Sequence, residues 1–419
     1  MPTFQAPRGT ADRLPEEQKY WRYIESHATN VARRFGYGRI DSPMFEDARL
    51  FVRGVGEGTD IVEKEMYVFE DRGGDQLTLR AEGTAPVCRA YLEHGMHNQA
   101  QPVRMYYLCP VFRYERPQAG RFRQHHQFGV EAIGDGDPSV DAEVIELAWT
   151  FMHNIGLSDI TLLTNSIGDG QCRPDYIAAL KSYYQKQTSN LCPDCRQRLE
   201  RNPLRLLDCK VETCRALGEE APKSVECLCA ECQTHWDRVR SYLDAAGIPN
   251  RVDHRLVRGL DYYTRTVFEI QPAVEGAQST ICGGGRYDAL IEQLGGRPTP
   301  GIGFGSGIER LALNLRRAET PVPDEPSPRY LITTIGEDAR IEGVRLASRM
   351  RNGGVGAILA NGGRALRGQM RQANALGIAS TVIIGEDEVR DGTVVVRDMQ
   401  TSSQETIPVE QFLRQANGG

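Results

Sequence analysis

Residues 110–124 read PVFRYERPQAGRFRQ. Four arginines surround one glutamate within fifteen residues. The runs before it and after it, residues 103–114 and 124–133, have the character of strands, so the stretch is predicted to close an antiparallel hairpin with a cationic tip. Arginine is used throughout instead of lysine, which suits bidentate contacts to phosphate. A solvated surface loop is the competing interpretation.

Other elements can be predicted on both sides of the hairpin from apolar periodicity and from the turn residues that bound it. The predicted strands are residues 76–79, 103–114, 124–133, 264–270 and 279–282, and the predicted helices are residues 16–35, a helix that begins at Pro138, and residues 308–315. Strands with mixed connections dominate, so we predict the α+β class with an antiparallel-sheet core.

A stretch rich in proline and acidic residues predicts a domain boundary, because such a segment is stiff and polar. We place the linker at residues 318–328, between a larger domain of residues 1–317 and a smaller domain of residues 329–419. The larger domain contains a cysteine-rich insertion at about 189–235. In the smaller domain, strand-like runs at 330–335, 357–359 and 381–384 alternate with helical segments near 341–351 and 365–376, which predicts an α/β fold.

The composition is that of an ordinary globular protein. Of the 419 residues, 40% are hydrophobic and 25% are charged, and the net charge of -6 argues against a generally basic coat for nucleic acid. No apolar run approaches the roughly 20 residues that cross a bilayer, and residues 1–13 lack the pattern of a secretory signal. We therefore expect a cytoplasmic protein that does not span a membrane.

Five blocks stand in order along the chain: residues 36–46, FRYERP at 112–117, LVRGLDYY at 256–263, GGGRYD at 283–288 and GIGFGSGIER at 301–310. FRYERP resembles motif 2 of class II aminoacyl-tRNA synthetases in its histidyl form, GIGFGSGIER resembles motif 3, and the first block resembles the weaker motif 1. LVRGLDYY and GGGRYD resemble peptides of histidyl-tRNA synthetases. The resemblance covers nearly the whole chain and implies a class II catalytic core followed by an α/β anticodon-binding domain.

Two other interpretations remain to be weighed. The glycine string at 301–307 would suit a dinucleotide site, but no acidic ribose partner follows about 20 residues on in a βαβ unit, and no P-loop is present. The alternative within the family is a catalytically silent, synthetase-like regulatory subunit of histidine biosynthesis. Such proteins typically lack the C-terminal domain and the counterparts of Arg258 and Arg310, which this chain retains.

The resemblance implies a ligase reaction. L-Histidine would be activated with ATP to histidyl-adenylate and then transferred to tRNA(His), with release of pyrophosphate and AMP. Arg258 and Arg113 would be catalytic at the α-phosphate, and Arg113, Arg121 and Arg310 would bind ATP together with Mg²⁺. Fixed cations of this kind stabilise the charge that develops on phosphoryl oxygens.

The resemblance also implies a histidine site made of polar side chains: Glu82, Thr84, Gln127, Glu131, Tyr262 and Tyr263. The first three would meet the α-amino group. Glu131 and Tyr263 would meet the imidazole.

The motif 2 hairpin is implied to contact the acceptor end of the tRNA through Arg116, Gln118 and Arg123. Two nearby residues depart from the family pattern. Ala81 stands where proline is usual, which affects loop rigidity, and His125 stands where phenylalanine is common. Neither change removes a functional group.

The C-terminal domain carries arginines at helical spacing. Arg364, Arg367 and Arg371 are predicted to form one basic face for the RNA backbone, and an ordinary solvated face is the alternative. Similarity to motif 1 implies a homodimer.

Seven of the 11 cysteines lie in the insertion. A disulfide framework is not expected in a chain without an export signal. Two C-x₂-C pairs, Cys192 with Cys195 and Cys229 with Cys232, predict a tetrahedral zinc site. A reduced, metal-free cluster is the alternative.

Overall fold

The computed structural model describes residues 4–56, 59, 61–117, 121–272, 280–324 and 328–417. The chain divides into two compact units, Met1–Pro323 and Asp324–Gly419. Gln118, residue 279 of a predicted strand and part of the predicted linker lie outside the described residues. None of the helices in the described part of the chain has the length and apolar character of a membrane span.

The first unit contains eleven strands and ten α-helices among its described residues. The strands are β1 Gly38–Arg39, β2 Phe45–Asp47, β3 Tyr67–Glu70, β4 Gln76–Leu79, β5 Val103–Phe112, β6 Gln124–Ile133, β7 Ile160–Ser166, β8 Arg251–Val252, β9 Thr264–Pro272, β10 Cys282–Arg286 and β11 Gly301–Gly307. The helices are α1 Gln18–Arg34, α2 Ala48–Val55, α3 Thr84–Glu93, α4 Pro138–Asn154, α5 Arg173–Gln185, α6 Pro193–Arg201, α7 Glu212–Glu219, α8 Ala230–Ala245, α9 Leu290–Gln293 and α10 Ile308–Arg317.

Eight of these strands form one sheet, in the order β1-β5-β6-β11-β10-β9-β7-β8. β5 and β6 are the predicted hairpin, antiparallel from Val103 opposite Ile133 to Phe112 opposite Gln124. The outermost pairs, β1 with β5 and β7 with β8, are parallel, and the pairs between them are antiparallel. The predicted antiparallel core is confirmed.

Strand β10 differs from the prediction. A strand was expected to end at Cys282, whereas β10 begins there and continues through three glycines. Glycine has a low strand propensity, but β10 is bonded on one side to β9 and on the other to β11. Pairing on both sides therefore overrides local propensity.

The sheet has two different faces, because successive strand residues point to opposite sides. On one face Phe128, Phe268 and Phe304 pack edge to face within an apolar core shared with α1, α4 and α10. The other face lacks side chains at its centre, and we call these positions the glycine floor: Gly129, Gly283, Gly285, Gly303 and Gly305. This face is free to receive groups from loops and from the neighbouring strands.

A buried ion pair joins the floor to the helix layer. Arg286 of β10 and Asp141 of α4 are both wholly buried, and Arg286 Nε donates to Asp141 Oδ2 at 3.1 Å. Arg286 Nη1 also donates to Asp288 Oδ1 at 3.1 Å. Removal of Arg286 or Asp141 would leave a buried charge without its main partner, so this arginine of the GGGRYD block has a structural position.

The second unit is an α/β fold, as predicted. Its elements are β12 Tyr330–Thr334, α11 Glu337–Asn352, β13 Ala357–Leu359, α12 Leu366–Ala375, β14 Ser380–Ile384, α13 Glu386–Asp391, β15 Thr393–Asp398, β16 Gln404–Pro408 and α14 Val409–Asn417. The sheet order is β13-β12-β14-β15-β16. The first three strands are parallel to one another, β15 is antiparallel to β14, and β16 is antiparallel to β15. The strands β15 and β16 and the helices α13 and α14 were not predicted.

The predicted basic face of three arginines needs a correction. Arg364 precedes α12, which begins at Leu366, and its carbonyl accepts a hydrogen bond from Gln369 Nε2 at 2.9 Å. Only Arg367 and Arg371 of the three lie within the helix, four residues apart on one face. All three side chains are exposed.

Candidate active site

Functional side chains occupy the space above the glycine floor. A Cβ atom on Gly283 would lie 2.5 Å from Arg258 Nη1, and one on Gly303 would lie 1.9 Å from Glu131 Oε2. A Cβ on Gly285 would lie 2.9 Å from the Tyr263 ring. The glycines of β10 and β11 thus allow these three predicted site residues to rest directly on the sheet.

Glu131 is wholly buried on β6, opposite Gly303 of β11. Its Oε1 accepts hydrogen bonds from Thr84 Oγ1 at 2.7 Å and from the Tyr107 hydroxyl at 3.2 Å, and its Oε2 accepts one from the Tyr287 hydroxyl at 2.5 Å. Burial raises the pKa of Glu131 to about 8, against the opposing effect of these hydrogen bonds. The three hydroxyl groups hold the carboxyl group in one orientation.

Glu82 is a second buried carboxylate, placed at the N-terminus of α3. It accepts the backbone N–H of Thr84 at 2.9 Å and that of Ala85 at 2.6 Å, the groups that a helix N-terminus offers to an anion. The Tyr262 hydroxyl donates to its Oε2 at 3.3 Å. Burial raises the pKa of Glu82, and the backbone hydrogen bonds and Arg113 act against that rise.

Arg258 is anchored by Glu269 of β9, to which its Nη1 donates a hydrogen bond. Burial by itself would lower the pKa of Arg258, but the Glu269 carboxylate together with Tyr263 and Tyr262 more than offsets this, and the pKa is raised. The guanidinium carbon lies 5.8 Å from the centre of the Tyr263 ring, which in turn packs on Tyr262 at 4.7 Å. Arg258 is therefore a fixed cation beside the two tyrosines predicted for the histidine site.

The three arginines predicted to bind ATP each contact a neighbouring group: Arg113 Nε donates to Ala81 O at 2.8 Å, Arg121 Nε lies 3.2 Å from Glu115 Oε2, and Arg310 Nη1 donates to Thr280 O at 2.9 Å. Burial lowers the pKa of Arg310, and the charges of Arg121 and Arg113 lower it further. Arg310 is thus close enough to Arg121 and Arg113 to be repelled by both. An anion bound between them would relieve that repulsion, which suits a triphosphate.

Glu309 positions Arg310 by joining α10 to β6. Its carboxylate accepts the backbone N–H of His126 at 2.9 Å and a hydrogen bond from Arg13 Nη2 at 3.0 Å. The motif 3 helix and the motif 2 strand are therefore connected through one carboxylate.

The two departures from the family pattern lie at this site. Ala81 is wholly buried and contacts Arg113 through its backbone carbonyl, so the function of the position does not depend on its side chain. Burial, followed by the charge of Arg113, lowers the pKa of His125 to about 3. His125 is therefore a neutral ring at neutral pH.

The remaining predicted residues are less closely engaged. Gln127 is half-buried on the same face of β6 as Glu131, with its amide nitrogen 3.5 Å from the place of a Cβ on Gly305. Arg116 is exposed, whereas Arg123 stacks on the Tyr114 ring at 3.8 Å. Gln118 lies outside the described residues.

Four cysteines predicted as one zinc site do not form a single group among the described residues. Cys192 and Cys195 cluster with Cys209 and Cys214, whereas Cys229 and Cys232 cluster with Asp169 and Cys172. The reason is the path of the chain. Residues between the two C-x₂-C pairs fold back onto the first pair, and the turn after β7 supplies partners for the second.

Four contributors to the site were missed by sequence reasoning: Arg13, Tyr107, Glu269 and Tyr287. Tyr287 follows the arginine in GGGRYD, and this block was the available signal for it. Tyr107 shares a strand face with Met105 and Cys109, where it looks like one more apolar position. No sequence signal links Glu269 to Arg258, because their contact depends on the pairing of β9 with β10.

Comparison with known proteins agrees with this geometry. Residues 9–311 match the family model for histidyl-tRNA synthetase, and residues 330–416 match that of an anticodon binding domain. The chain belongs to the histidyl-tRNA synthetase family. The histidine–tRNA ligase of Dehalococcoides mccartyi (strain ATCC BAA-2266 / KCTC 15142 / 195) is 56% identical over 410 residues, 98% of each chain. That of Desulforamulus reducens is 49% identical over 407 residues, 97% of each chain.

Solved structures of proteins named as histidyl-tRNA synthetases are similar to this fold. The apo histidyl-tRNA synthetase of S. aureus matches with a TM-score of 0.83 and 38% identity, over 99% of this chain and 100% of that one. A structure described as an ATP phosphoribosyltransferase regulatory subunit/histidyl-tRNA synthetase from Bacillus halodurans C matches with a TM-score of 0.67 at 23% identity, over 91% of this chain and 98% of that one. The latter likeness shows a shared fold alone.

Proposed function

We propose that the chain is a histidine–tRNA ligase, which activates L-histidine with ATP and transfers it to tRNA(His). One observation carries the proposal. Two buried carboxylates, Glu82 and Glu131, lie with the fixed cation Arg258 around a floor that has no side chains. A small substrate that carries both donors and a carboxylate fits this arrangement of charge.

Histidine recognition in this proposal rests on hydrogen-bond complementarity. The substrate presents an α-ammonium group and an imidazole with at least one N–H, so the pocket needs acceptors at two places. Glu82 accepts from the ammonium group with help from Thr84 and Gln127. Glu131 accepts from the ring, and Tyr263 lies beside it. An amino acid without these donors could not form these hydrogen bonds in a buried site, so discrimination of about 10⁴ is accessible without an editing domain.

Adenylate formation is the first chemical step. A carboxylate oxygen of histidine attacks the α-phosphorus of ATP, a P–O bond forms, and the bond to the β-phosphate oxygen breaks as pyrophosphate leaves. Arg258 and Arg113 stabilise the charge that grows at the α-phosphate, and Arg121 and Arg310 hold the outer phosphates. Support comes from the anchoring of Arg258 by Glu269, since a cation that is already fixed needs no reorganisation during the reaction.

Transfer to tRNA is the second step. A ribose hydroxyl at the 3′ end of tRNA(His) attacks the activated carbonyl carbon, and AMP leaves with the bonding electron pair. Arg116, Gln118 and Arg123 of the hairpin face the acceptor end in this proposal. Residues 1–317 form the catalytic domain, residues 318–328 the linker and residues 329–419 the anticodon-binding domain.

A homodimer is part of the proposal. Apolar side chains are exposed on one face of the three-stranded sheet β2-β4-β3, Phe45 at 54% and Phe69 at 41%, and Met44 in the turn before it is 54% exposed. Contiguous exposed apolar residues commonly mark an interface with another protein. Met44 and Phe45 belong to the motif 1 segment, which supports pairing between two copies of the chain.

The implied metals have separate places. ATP binds as its Mg²⁺ complex, and Glu115, beside Arg121, offers the carboxylate type of ligand that this ion prefers. Structural zinc in the cysteine-rich insertion also belongs to the proposal. The enzyme would act in the cytoplasm, where tRNA is used for protein synthesis.

The decisive experiment is ATP–pyrophosphate exchange with each amino acid in turn, followed by charging of tRNA(His). We expect exchange with histidine alone, and charging of that tRNA. Exchange that is independent of histidine would overturn the substrate assignment. Absence of both reactions in folded protein would instead favour the silent regulatory subunit, which the presence of Arg113, Arg258 and Arg310 argues against.

A further inference from the structure

Eight possible metal ligands near the insertion form two clusters. The first cluster is Cys192, Cys195, Cys209 and Cys214, and the second cluster is Asp169, Cys172, Cys229 and Cys232. In each, one ligand atom per residue lies within 4.8 Å of all the others. We infer that the chain holds two structural zinc ions, one in a four-thiolate site and one in a site of three thiolates and a carboxylate.

The distances within the clusters suit tetrahedral coordination. With zinc–sulfur bonds of about 2.3 Å, the sulfurs of a tetrahedral site lie roughly 3.8 Å apart. The Cys192 and Cys209 sulfurs are 3.9 Å apart, and the Cys172 sulfur is 3.6 Å from Asp169 Oδ1. A disulfide needs sulfurs about 2.05 Å apart, and all of these cysteines are free.

Both C-x₂-C pairs stand at the start of a helix. Cys192 is the N-cap of α6 with Cys195 three residues later, and Cys229 has the same relation to α8 and Cys232. The backbone N–H of Cys195 donates to Cys192 Sγ at 3.4 Å, and that of Cys192 donates to Cys214 Sγ at 3.2 Å. Helix N-termini and amide donors both stabilise thiolate, the form that binds zinc.

The second cluster connects the insertion to the catalytic sheet. Asp169 and Cys172 lie in the turn between β7 and α5, whereas the other two ligands begin α8. The Nη2 atom of Arg265 on β9 lies 3.2 Å from Asp169 Oδ2, and the backbone N–H of Arg265 donates to Gly168 O at 2.7 Å. Three thiolates and a carboxylate around one zinc ion leave net negative charge, which Arg265 partly neutralises.

The second cluster is also close in sequence and contact to the pocket. Arg173, next to Cys172, donates from Nη2 to the carbonyl of Tyr263 at 2.5 Å. Arg265 is two residues beyond that tyrosine. A metal here would hold the turn against the strand that begins beside the histidine site, whereas the first cluster joins only α6, α7 and the segment between them.

Metal content of the full-length protein, purified without chelator, tests the inference. We expect about two zinc ions per chain by elemental analysis. Cys192→Ser and Cys229→Ser should each lose one zinc, because each alters a half-buried ligand of a different cluster. Cys227→Ser is the matched control, since this half-buried cysteine of the same insertion belongs to neither cluster. It should retain two.

X-ray absorption at the zinc edge distinguishes the two ligand sets. Cys229→Ser should leave a zinc ion with four sulfur neighbours at about 2.3 Å, and Cys192→Ser should leave one with three sulfurs and an oxygen near 2.0 Å. The wild-type protein is a second test that needs no variant. Equal occupancy of both sites gives an average of about 3.5 sulfur neighbours per zinc.

Several results would overturn the inference. One zinc per chain that both variants lose would mean a single site built from the two C-x₂-C pairs. No zinc, with all cysteines reactive to thiol reagents in the native protein or joined as disulfides, would mean no metal site. A wild-type average of four sulfurs, or of fewer than three, would contradict the role of Asp169.

Discussion

The two sheets of the chain place polar groups in opposite locations. In the first unit, one face of the eight-stranded sheet carries glycines and the buried carboxylates Glu82 and Glu131 lie above it. In the second unit, β12 packs apolar residues on both faces, Ile332 in one core cluster and Leu331 in another. Its arginines, such as Arg371, are on the surface. Substitutions in the first unit should therefore change chemistry strongly, whereas those in the second should change binding weakly and in a salt-dependent way.

The largest effect is expected for Arg258→Ala. Loss of one fixed cation at the α-phosphate should slow single-turnover adenylate formation by roughly 10² or more. Arg255→Ala is the matched control, because Arg255 lies in the same segment and its guanidinium pairs with Glu219 at 3.2 Å. The control should react at nearly the wild-type rate. Equal rates for the two variants, with both folded by circular dichroism, would show that Arg258 does not act as the cation at the α-phosphate.

The next effect concerns the histidine pocket. Glu131→Gln preserves size but replaces an acceptor-only carboxylate with an amide, and hydrogen bonds to charged groups contribute about 1.5–3 kcal/mol. We therefore expect the KM for histidine to rise about 10- to 100-fold, with little change in the KM for ATP. Glu143→Gln, which alters a half-exposed ion pair with Arg104, should leave both constants unchanged. Wild-type kinetics in Glu131→Gln would remove this residue from the pocket.

The same carboxyl group predicts a dependence on pH. Because burial raises the pKa of Glu131 from about 4.5 to about 8, its carboxyl group is protonated at neutral pH when no histidine is bound. A bound cation favours the carboxylate, so histidine binding near pH 7 should release a proton, which calorimetry in buffers of different ionisation heat measures. The contribution of Glu131 to the free energy of unfolding should also fall as the pH rises from about 4.5 to 8. Glu131→Gln should abolish both effects; a proton release that persists in this variant has another source.

A smaller effect separates two glycines of the floor. The Cβ of Gly303→Ala would lie 2.3 Å from Val130 O and still closer to Glu131, so we expect a lower Tm. The nearest atom to the Cβ of Gly305→Ala is 3.5 Å away, on Gln127. This variant should keep the wild-type Tm while its methyl group weakens substrate binding several-fold. Wild-type affinity in Gly305→Ala would show that the substrate does not reach that part of the floor.

The smallest effect belongs to the surface of the second unit. Arg371→Ala should weaken tRNA binding by a few-fold and reduce the slope of log affinity against log salt by about one, without any effect on pyrophosphate exchange. Arg390→Ala is the control, since Arg390 is already paired with Asp387 at 2.8 Å and Asp391 at 2.9 Å. Filter binding at several salt concentrations measures both. Identical salt slopes for the two variants would place the RNA contact elsewhere.

The sequence predicted those elements that are specified by a pattern within a short window of residues. The apolar period of α1, the strands of the β5–β6 hairpin and the Asp137 cap of α4, which accepts from Ser139 N at 2.8 Å, are all visible in short windows. Prediction failed where pairing with distant strands decides the structure, as in the glycine-rich β10. Likewise, cysteine spacing suggested a zinc site but could not reveal that Asp169 and Cys172 lie beside the second pair.

The site residues show the same division. Motif resemblance named Glu82, Glu131 and Arg258, and the structure brings them to one pocket. It did not name Tyr107 or Tyr287, although their hydroxyls fix the Glu131 carboxyl group. A tyrosine in a strand reads as an apolar position, and its polar tip matters only once a partner from another strand is known.

The glycine floor also bears on how the enzyme could escape an inhibitor. A compound that contacts Arg258, Tyr263 and Glu131 depends on side chains that rest on Gly283, Gly285 and Gly303, and mutation of these glycines always adds a side chain. Any side chain added there meets Arg258, Tyr263 or Glu131 within 3 Å, so it would damage the site along with the compound. Resistance would then have to arise from the walls of the pocket, and inhibitors that draw their affinity from these three side chains leave fewer routes to it.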